Sequence, residues 1–341
     1  MRILTSEDNM RPSFAHFILA IALCCALSVA VVAQSQPAAK PAAASKTTPP
    51  KAFDTPQQAA DALIKATADY NVPDLLAIFG SDGEDIVTGG DEVQDKKNAV
   101  DFAKMAQEKN TVTLSVSDPN VATLVVGDDD WPLPIPIVKK NGKWYFNAKA
   151  GKKEILFRRI GANELDAITV CRGYVDAQRE YALTPHNGIN QYAQKIISTP
   201  GTQDGLYWKN PDGSGGGPIG EAVANAIEEG YSLKTKGGFH GYYFKILKGQ
   251  GPDAPLGKIN YVLEGVMIGG FALVAVPAEY RVTGVKTFIV SNDGVVYQKD
   301  LGPNSLEIAK KMELYNPDKT WQPTDDEWPT SVSPVTAPEV P

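Results

Sequence analysis

The chain is poor in the residues that most often carry catalysis. Its 341 residues include 3 cysteines and 3 histidines. No His-Glu-x-x-His pattern occurs, so no metal site is expected. A basic excess is also lacking: 33 Lys and Arg stand against 40 Asp and Glu, a formal net charge of −7. With no surplus cations to displace phosphate counterions, nucleic acid is excluded as a partner class. No Gly-x-Ser-x-Gly elbow is present, and Gly213-Ser214-Gly215-Gly216-Gly217 lacks the Lys-Ser/Thr of a phosphate loop. That run is expected to supply turns of positive φ. What is present is ordinary for folded protein: 43% apolar and 21% charged residues, with a length that suggests about two domains.

Residues 14–33 are apolar and uncharged, follow Arg11, and end Val31-Val32-Ala33 before Gln34. A basic start, an apolar run and a small-residue exit predict a signal peptide over residues 1–33 and a periplasmic or secreted protein. Left uncleaved, the run is long enough to anchor the chain across ~30 Å of hydrocarbon. Cleavage would remove Cys24 and Cys25, leaving Cys171 as the one thiol, no intrachain disulfide and no membrane span. Residues 34–52, rich in Ala, Pro, Ser, Thr and Lys, read as a disordered linker, and residues 316–341 as a Pro-rich disordered tail.

Between them two α+β units are expected. In residues 53–151, Thr55-Pro56-Gln57-Gln58 starts a helix and Pro73 starts a second that Gly80 stops. A third helix is expected over residues 91–108, with Val93, Ala99, Phe102 and Ala106 inward. Residues 111–117 alternate, with Val112, Leu114 and Val116 on one face, and residues 121–126 form a further strand. Asn141-Gly142 marks a hairpin. In residues 152–315, a long amphipathic helix over residues 162–182 places Val170, Cys171, Tyr174 and Tyr181 on its apolar arc. A thiol there is expected to be buried and inert. Strands follow at 239–247, at 261–276 with a break at Gly269-Gly270, and at 286–290 and 295–299 around a Ser291-Asn292-Asp293-Gly294 turn.

Helices followed by a meander carrying Asn-Gly-Lys-Trp-Tyr-Phe resemble the cone-shaped fold of the nuclear-transport-factor-2-like superfamily. A long helix followed by an antiparallel meander is similar to the head domain of type IV pilins, although the prepilin processing motif is absent. Over residues 53–323 the chain resembles a bacterial secreted family, domain-of-unknown-function family 2950. That resemblance is carried by Trp131-Pro132-Leu133-Pro134, Arg158-Arg159-Ile160-Gly161, Asp176-Ala177-Gln178-Arg179-Glu180-Tyr181, Asp204-Gly205-Leu206-Tyr207-Trp208 and His240-Gly241-Tyr242-Tyr243-Phe244. It implies an envelope location and brings no catalytic residue or cofactor. Arg281 stands where the family pattern has Gly, which bears on a turn after Tyr280.

No constellation reaches the standard of an active site. Cys171 lies mid-helix, away from any dipole that would lower its pKa. His240 reads as a structural histidine in a strand. Asp128-Asp129-Asp130-Trp131 reads as a solvated turn. Glu164, Asp166, Asp176, Glu180 and Asp204 are the candidates for a glycosidase acid and base. Arg158 and Arg159 would clamp an anion unless they pair with Glu154 or Glu164. The expectation is therefore a non-catalytic binding or scaffold protein of the cell envelope, with no cofactor. Its partner would be an envelope protein or small ligand met through Trp131, Arg158, Arg159, Tyr207, Trp208 and His240. The alternative is a periplasmic hydrolase acting on an envelope polymer.

Overall fold

Helix α1 (Pro56–Ala68) starts where local chemistry dictates: Thr55 Oγ1 accepts the Gln58 N–H at 3.1 Å, and Pro56 fills the first turn. The computed structural model describes residues 48–89, 92–220, 224 and 238–325. The expected signal peptide lies outside them, as do residues 34–47 and 326–341. Among the described residues no helix is long and apolar enough to cross a membrane.

Asn71 caps α2 (Val72–Phe79), and Gly80 ends it at φ 68. Two further helices follow, α3 (Glu84–Val87) and α4 (Glu92–Glu108). They pack against an antiparallel sheet in the order β1 (Asn110–Leu114), β2 (Val121–Val126), β4 (Ile137–Lys140), β5 (Lys143–Phe146), with the short β3 (Trp131–Pro132) beside β2. The β4–β5 turn holds Asn141 at φ 54 and Gly142 at φ 80, the paired positive values of a type I′ turn. Leu63, Ile78, Leu124, Ile137 and Phe146 form the first core.

Two expectations fail here. Val93 is 82% exposed, because α4 meets the core only from its second half, through Ala103 and Ala106. Leu114 and Val116 are also exposed: among the described residues β1 has β2 as its only strand neighbour, and Val116 lies beyond the end of β1.

Helix α5 (Ala148–Tyr181) begins well before residue 162, where periodicity first becomes clear. Asn147 Oδ1 caps it by accepting the Ala150 N–H at 3.1 Å. Its first turns serve the first core through Ala148, and Gly151 lies so close to Ile135 that a Cβ would come within 2.6 Å. Its middle leaves Phe157 and Leu165 exposed, which blurred the amphipathic signal. Its last turns bury Ala167, Cys171, Tyr174, Val175, Gln178 and Tyr181 in the second core.

That core is built on an antiparallel sheet ordered β18 (Gln322–Pro323), β16 (Val296–Lys299), β15 (Thr287–Ser291), β14 (Ala272–Pro277), β9 (Tyr242–Leu247). β14 is buried along its whole length, consistent with its uninterrupted apolar sequence. The first half of the expected 261–276 strand is instead a tight hairpin, β12 (Val262–Leu263) with β13 (Val266–Met267), because Glu264 and Gly265 adopt positive φ. Arg281 sits at φ 60, so the turn after Tyr280 forms around a strained arginine.

The expected tail is fixed at its start. Trp321 is buried beneath Lys299, β18 pairs with β16, and Thr324 N–H reaches Val296 O at 2.9 Å. A large indole has more to gain from burial than a polar, Pro-rich context suggests. At the other end, Lys51 N–H bonds Ala77 O at 2.9 Å, within the stretch expected as linker. The α+β class is as expected.

Candidate functional site

Beside the second core, β6 (Lys195–Ile197) pairs in parallel with β7 (Gly205–Lys209), and β7 turns back as β8 (Gly215–Gly216). The glycine-rich run makes this hairpin possible. A Cβ on Gly217 would overlap the Leu206 carbonyl oxygen, and one on Gly216 would overlap the indole of Trp208. The glycines thus seat Trp208 against bare backbone, a second role beyond the positive φ of Gly213 and Gly217. Asn210 Oδ1 accepts the Trp208 Nε1–H at 3.1 Å, which fixes the ring.

Trp208 forms part of the wall of a cleft of about 610 Å³, together with Pro185, His186, Asn187, Gln203 and Asp204. A second cleft of about 440 Å³ shares Gly201, Thr202, Trp208 and Lys209 with it. Both volumes are in the range of small-molecule sites. His186 is buried, with its ring stacked on Tyr181 at 3.7 Å between centroids and edge-on to Trp208 at 6.0 Å. Its Nε2 lies 3.0 Å from the Tyr181 carbonyl oxygen. A carbonyl only accepts, so Nε2 carries the proton and Nδ1 is left as an acceptor. Nδ1 is buried and has no hydrogen-bond partner among the described residues. Such a group costs about 1–3 kcal/mol unless water or a ligand satisfies it.

Asp204 braces the cleft floor. Its carboxylate accepts from Lys195 Nζ (2.8 Å), Thr199 N–H (2.7 Å), Thr199 Oγ1 (2.9 Å) and Thr202 Oγ1 (2.9 Å). Burial pushes its pKa up, but these donors outweigh that and hold it well below the ordinary carboxylate range. A folded pKa below the unfolded one adds stability above pH ~4, which is lost as pH falls through the folded value. Acid titration of ΔG by urea denaturation should therefore show a steep loss below pH ~4 that is shallower in Asp204→Asn.

The other expected site residues are scattered. Tyr207, which lines the smaller cleft, is buried rather than exposed, because on β7 it alternates with Trp208. Trp131 is 40% exposed, with the Arg158 guanidinium 5.5 Å from its ring centroid. Arg158 also donates to Glu154 Oε1 at 2.8 Å and to Pro132 O at 2.7 Å, so its donors serve the fold rather than an anion. Arg159 is exposed. His240 stands in a turn at φ 46, not in a strand, and its exposed Nδ1 lies 2.6 Å from Asp166 Oδ2. Glu164 accepts the N–H groups of Val285 (2.8 Å) and Lys286 (3.0 Å). Asp176 faces Arg179 at 3.9 Å. Four of the five acid–base candidates thus have structural partners. Among the described residues no three His, Cys, Asp or Glu converge on a metal-holding group.

Cys171 is fully buried, and desolvation pushes its thiol up to about 12. Labelling by a thiol reagent at neutral pH should be at least about a hundredfold slower in native than in urea-unfolded protein.

The model of one protein family, described as "Protein of unknown function (DUF2950)", matches residues 50–324. The chain belongs to the DUF2950 family. No curated protein and no solved structure matches it. The DUF2950 match ends at residue 324, beside the fixed Trp321 and β18, and so takes in the strand that closes the second sheet. It also spans Tyr181, His186, Asp204 and Trp208. The sequence points to Trp208 as a binder but not to His186 as its neighbour. The available signal was the Thr184-Pro185-His186-Asn187-Gly188 turn that follows the long helix.

Proposed function

We propose that this DUF2950 protein is an exported envelope protein that binds an uncharged polar ligand in the cleft lined by Trp208 and His186. The observation that carries the reading is a cleft of about 610 Å³ whose lining brings Trp208 beside His186, a buried histidine whose Nδ1 has no hydrogen-bond partner among the described residues. An acceptor of this kind asks for a hydroxyl or amide donor, and the neighbouring indole offers an apolar wall. Asp204 already accepts four hydrogen bonds, so its carboxylate is engaged by the fold. The absence of a ready nucleophile at Cys171 agrees with a non-catalytic role. Export is supported by the apolar run 14–33 and its small-residue exit. Within this reading the first core, helices on the sheet β1-β2-β4-β5, is a nuclear-transport-factor-2-like cone. The second core, α5 on an antiparallel meander, is a pilin-like head.

Soluble glycan and peptide fragments of cell envelopes, titrated by calorimetry, test the reading. The wild type should bind at least one class, and Trp208→Ala should weaken it about 10–100-fold with the fold retained. Equal binding by the variant, or none by the wild type, would end it. A second reading, hydrolysis, rests on His240 and Asp166. An exposed imidazole held by a carboxylate at 2.6 Å has the orientation of a general base. Ester or amide turnover abolished by His240→Ala would favour it.

A further inference from the structure

The sheet of the first core has unequal edges. At β5, Phe53 closes the edge: its N–H reaches Trp144 O at 2.9 Å, and Trp144 N–H reaches Phe53 O at 2.8 Å. At β1 nothing comparable stands among the described residues. The inward bonds of β1 fall on odd residues, since Gly127 N–H donates to Lys109 O and Ser115 N–H to Val121 O. With the register Asn110↔Val126 through Leu114↔Ala122, the main-chain groups of Asn110, Val112 and Leu114 point away from the sheet. Such an edge is normally blunted by lysine, proline, a bulge or a cover. Residues 110–117, Asn-Thr-Val-Thr-Leu-Ser-Val-Ser, have no charge, no proline and no glycine. Leu114 is 56% and Val116 fully exposed at its end.

We propose that β1 is an association edge and that its occupant is β1 of a second copy of this chain, paired antiparallel about Val112. That register is symmetric about Val112. Val112 meets Val112, Thr111 meets Thr113, and Asn110 meets Leu114, so each outward residue faces another outward residue. Each facing pair then exchanges both main-chain bonds. Threonine lies opposite threonine, a favourable cross-strand pair. At the ends, Lys109 faces Ser115 and Glu108 faces Val116, so no like charges are opposed. The two sheets join into one across a two-fold axis, an isologous contact. One strand pair buries little area, so the dimer is weak and concentration-dependent.

Sedimentation equilibrium on the protein expressed from its full sequence, from micromolar to millimolar, provides the test. The wild type should shift from monomer to dimer. Leu114→Lys adds an edge charge, and Leu114→Pro removes an outward N–H without touching the inward ladder. Both variants should stay monomeric with unchanged thermal unfolding. Val112→Cys should form an interchain disulfide on oxidation, because facing residues of such a pair sit ~5.5 Å apart. A wild type that stays monomeric throughout would overturn the proposal. So would a dimer indifferent to both Leu114 variants, or a Val112→Cys chain that does not crosslink. An edge protected from hydrogen exchange in a strictly monomeric protein would assign β1 to another segment of its own chain, and the second copy would be withdrawn.

Discussion

Replacing Gln178 by leucine is expected to destabilise the protein by about 3–5 kcal/mol, with almost no change in side-chain volume. Gln178 is fully buried near the end of α5. Its Nε2 donates to Ala193 O at 2.8 Å and to the Tyr174 hydroxyl at 2.9 Å, and its Oε1 accepts the Ala193 N–H at 2.8 Å. The amide therefore does for Ala193 what a neighbouring strand would do. Leucine leaves both main-chain groups of Ala193 and one hydroxyl buried without partners, at about 1–3 kcal/mol each, offset in part by added apolar contact. The midpoint of urea unfolding should fall with an unchanged slope. The effect should reach the cleft, because Gln191 in the same loop donates to His186 O at 2.9 Å. A loss below 1 kcal/mol would mean that the loop finds other partners.

Gly217→Ala is expected to lose cleft binding together with about 2–4 kcal/mol of stability. Gly217 sits at φ 100, where a side chain is strained, and its Cβ would overlap the main-chain oxygen of Leu206. Backbone cannot swing aside as a flexible side chain does, so the β7–β8 hairpin must shift and Trp208 loses its seat. Gly213→Ala in the same run is the control. It is strained at φ 84 but has open space around it, so it should cost only about 1 kcal/mol and leave binding intact. Parallel calorimetry and denaturation of the two variants separate close packing from backbone strain. Equal effects would refute the seating role.

Much of the fold was legible because it is written locally. Thr55-Pro56 starts α1, Gly80 ends α2, Asn141-Gly142 turns β4 into β5, and the period of α5 turns Cys171 inward. The failures share a cause: neighbours distant in sequence overrode the pattern. Leu114 alternates correctly but belongs to an edge strand, and Trp321 lies in a polar stretch that is nevertheless pinned under Lys299. Of the site, Trp208 was legible as an aromatic among glycines, whereas Tyr207, one residue away, faces inward. Alternation says that the two differ, and only the sheet says which is inside.

By itself the sequence determined the α+β class, the helix starts, the turns and the inert thiol, since each depends on residues a few positions apart. The tertiary structure alone decided the cleft and the saturation of its charges. His186, Asp204 and Trp208 converge there from a turn, a loop and a strand, and Tyr181 at a helix end packs against His186 and Trp208. Glu164 finds the amides of Val285 and Lys286, and Asp166 finds His240, across long separations in the chain. Which polar groups find partners depends on pairings that no local pattern encodes.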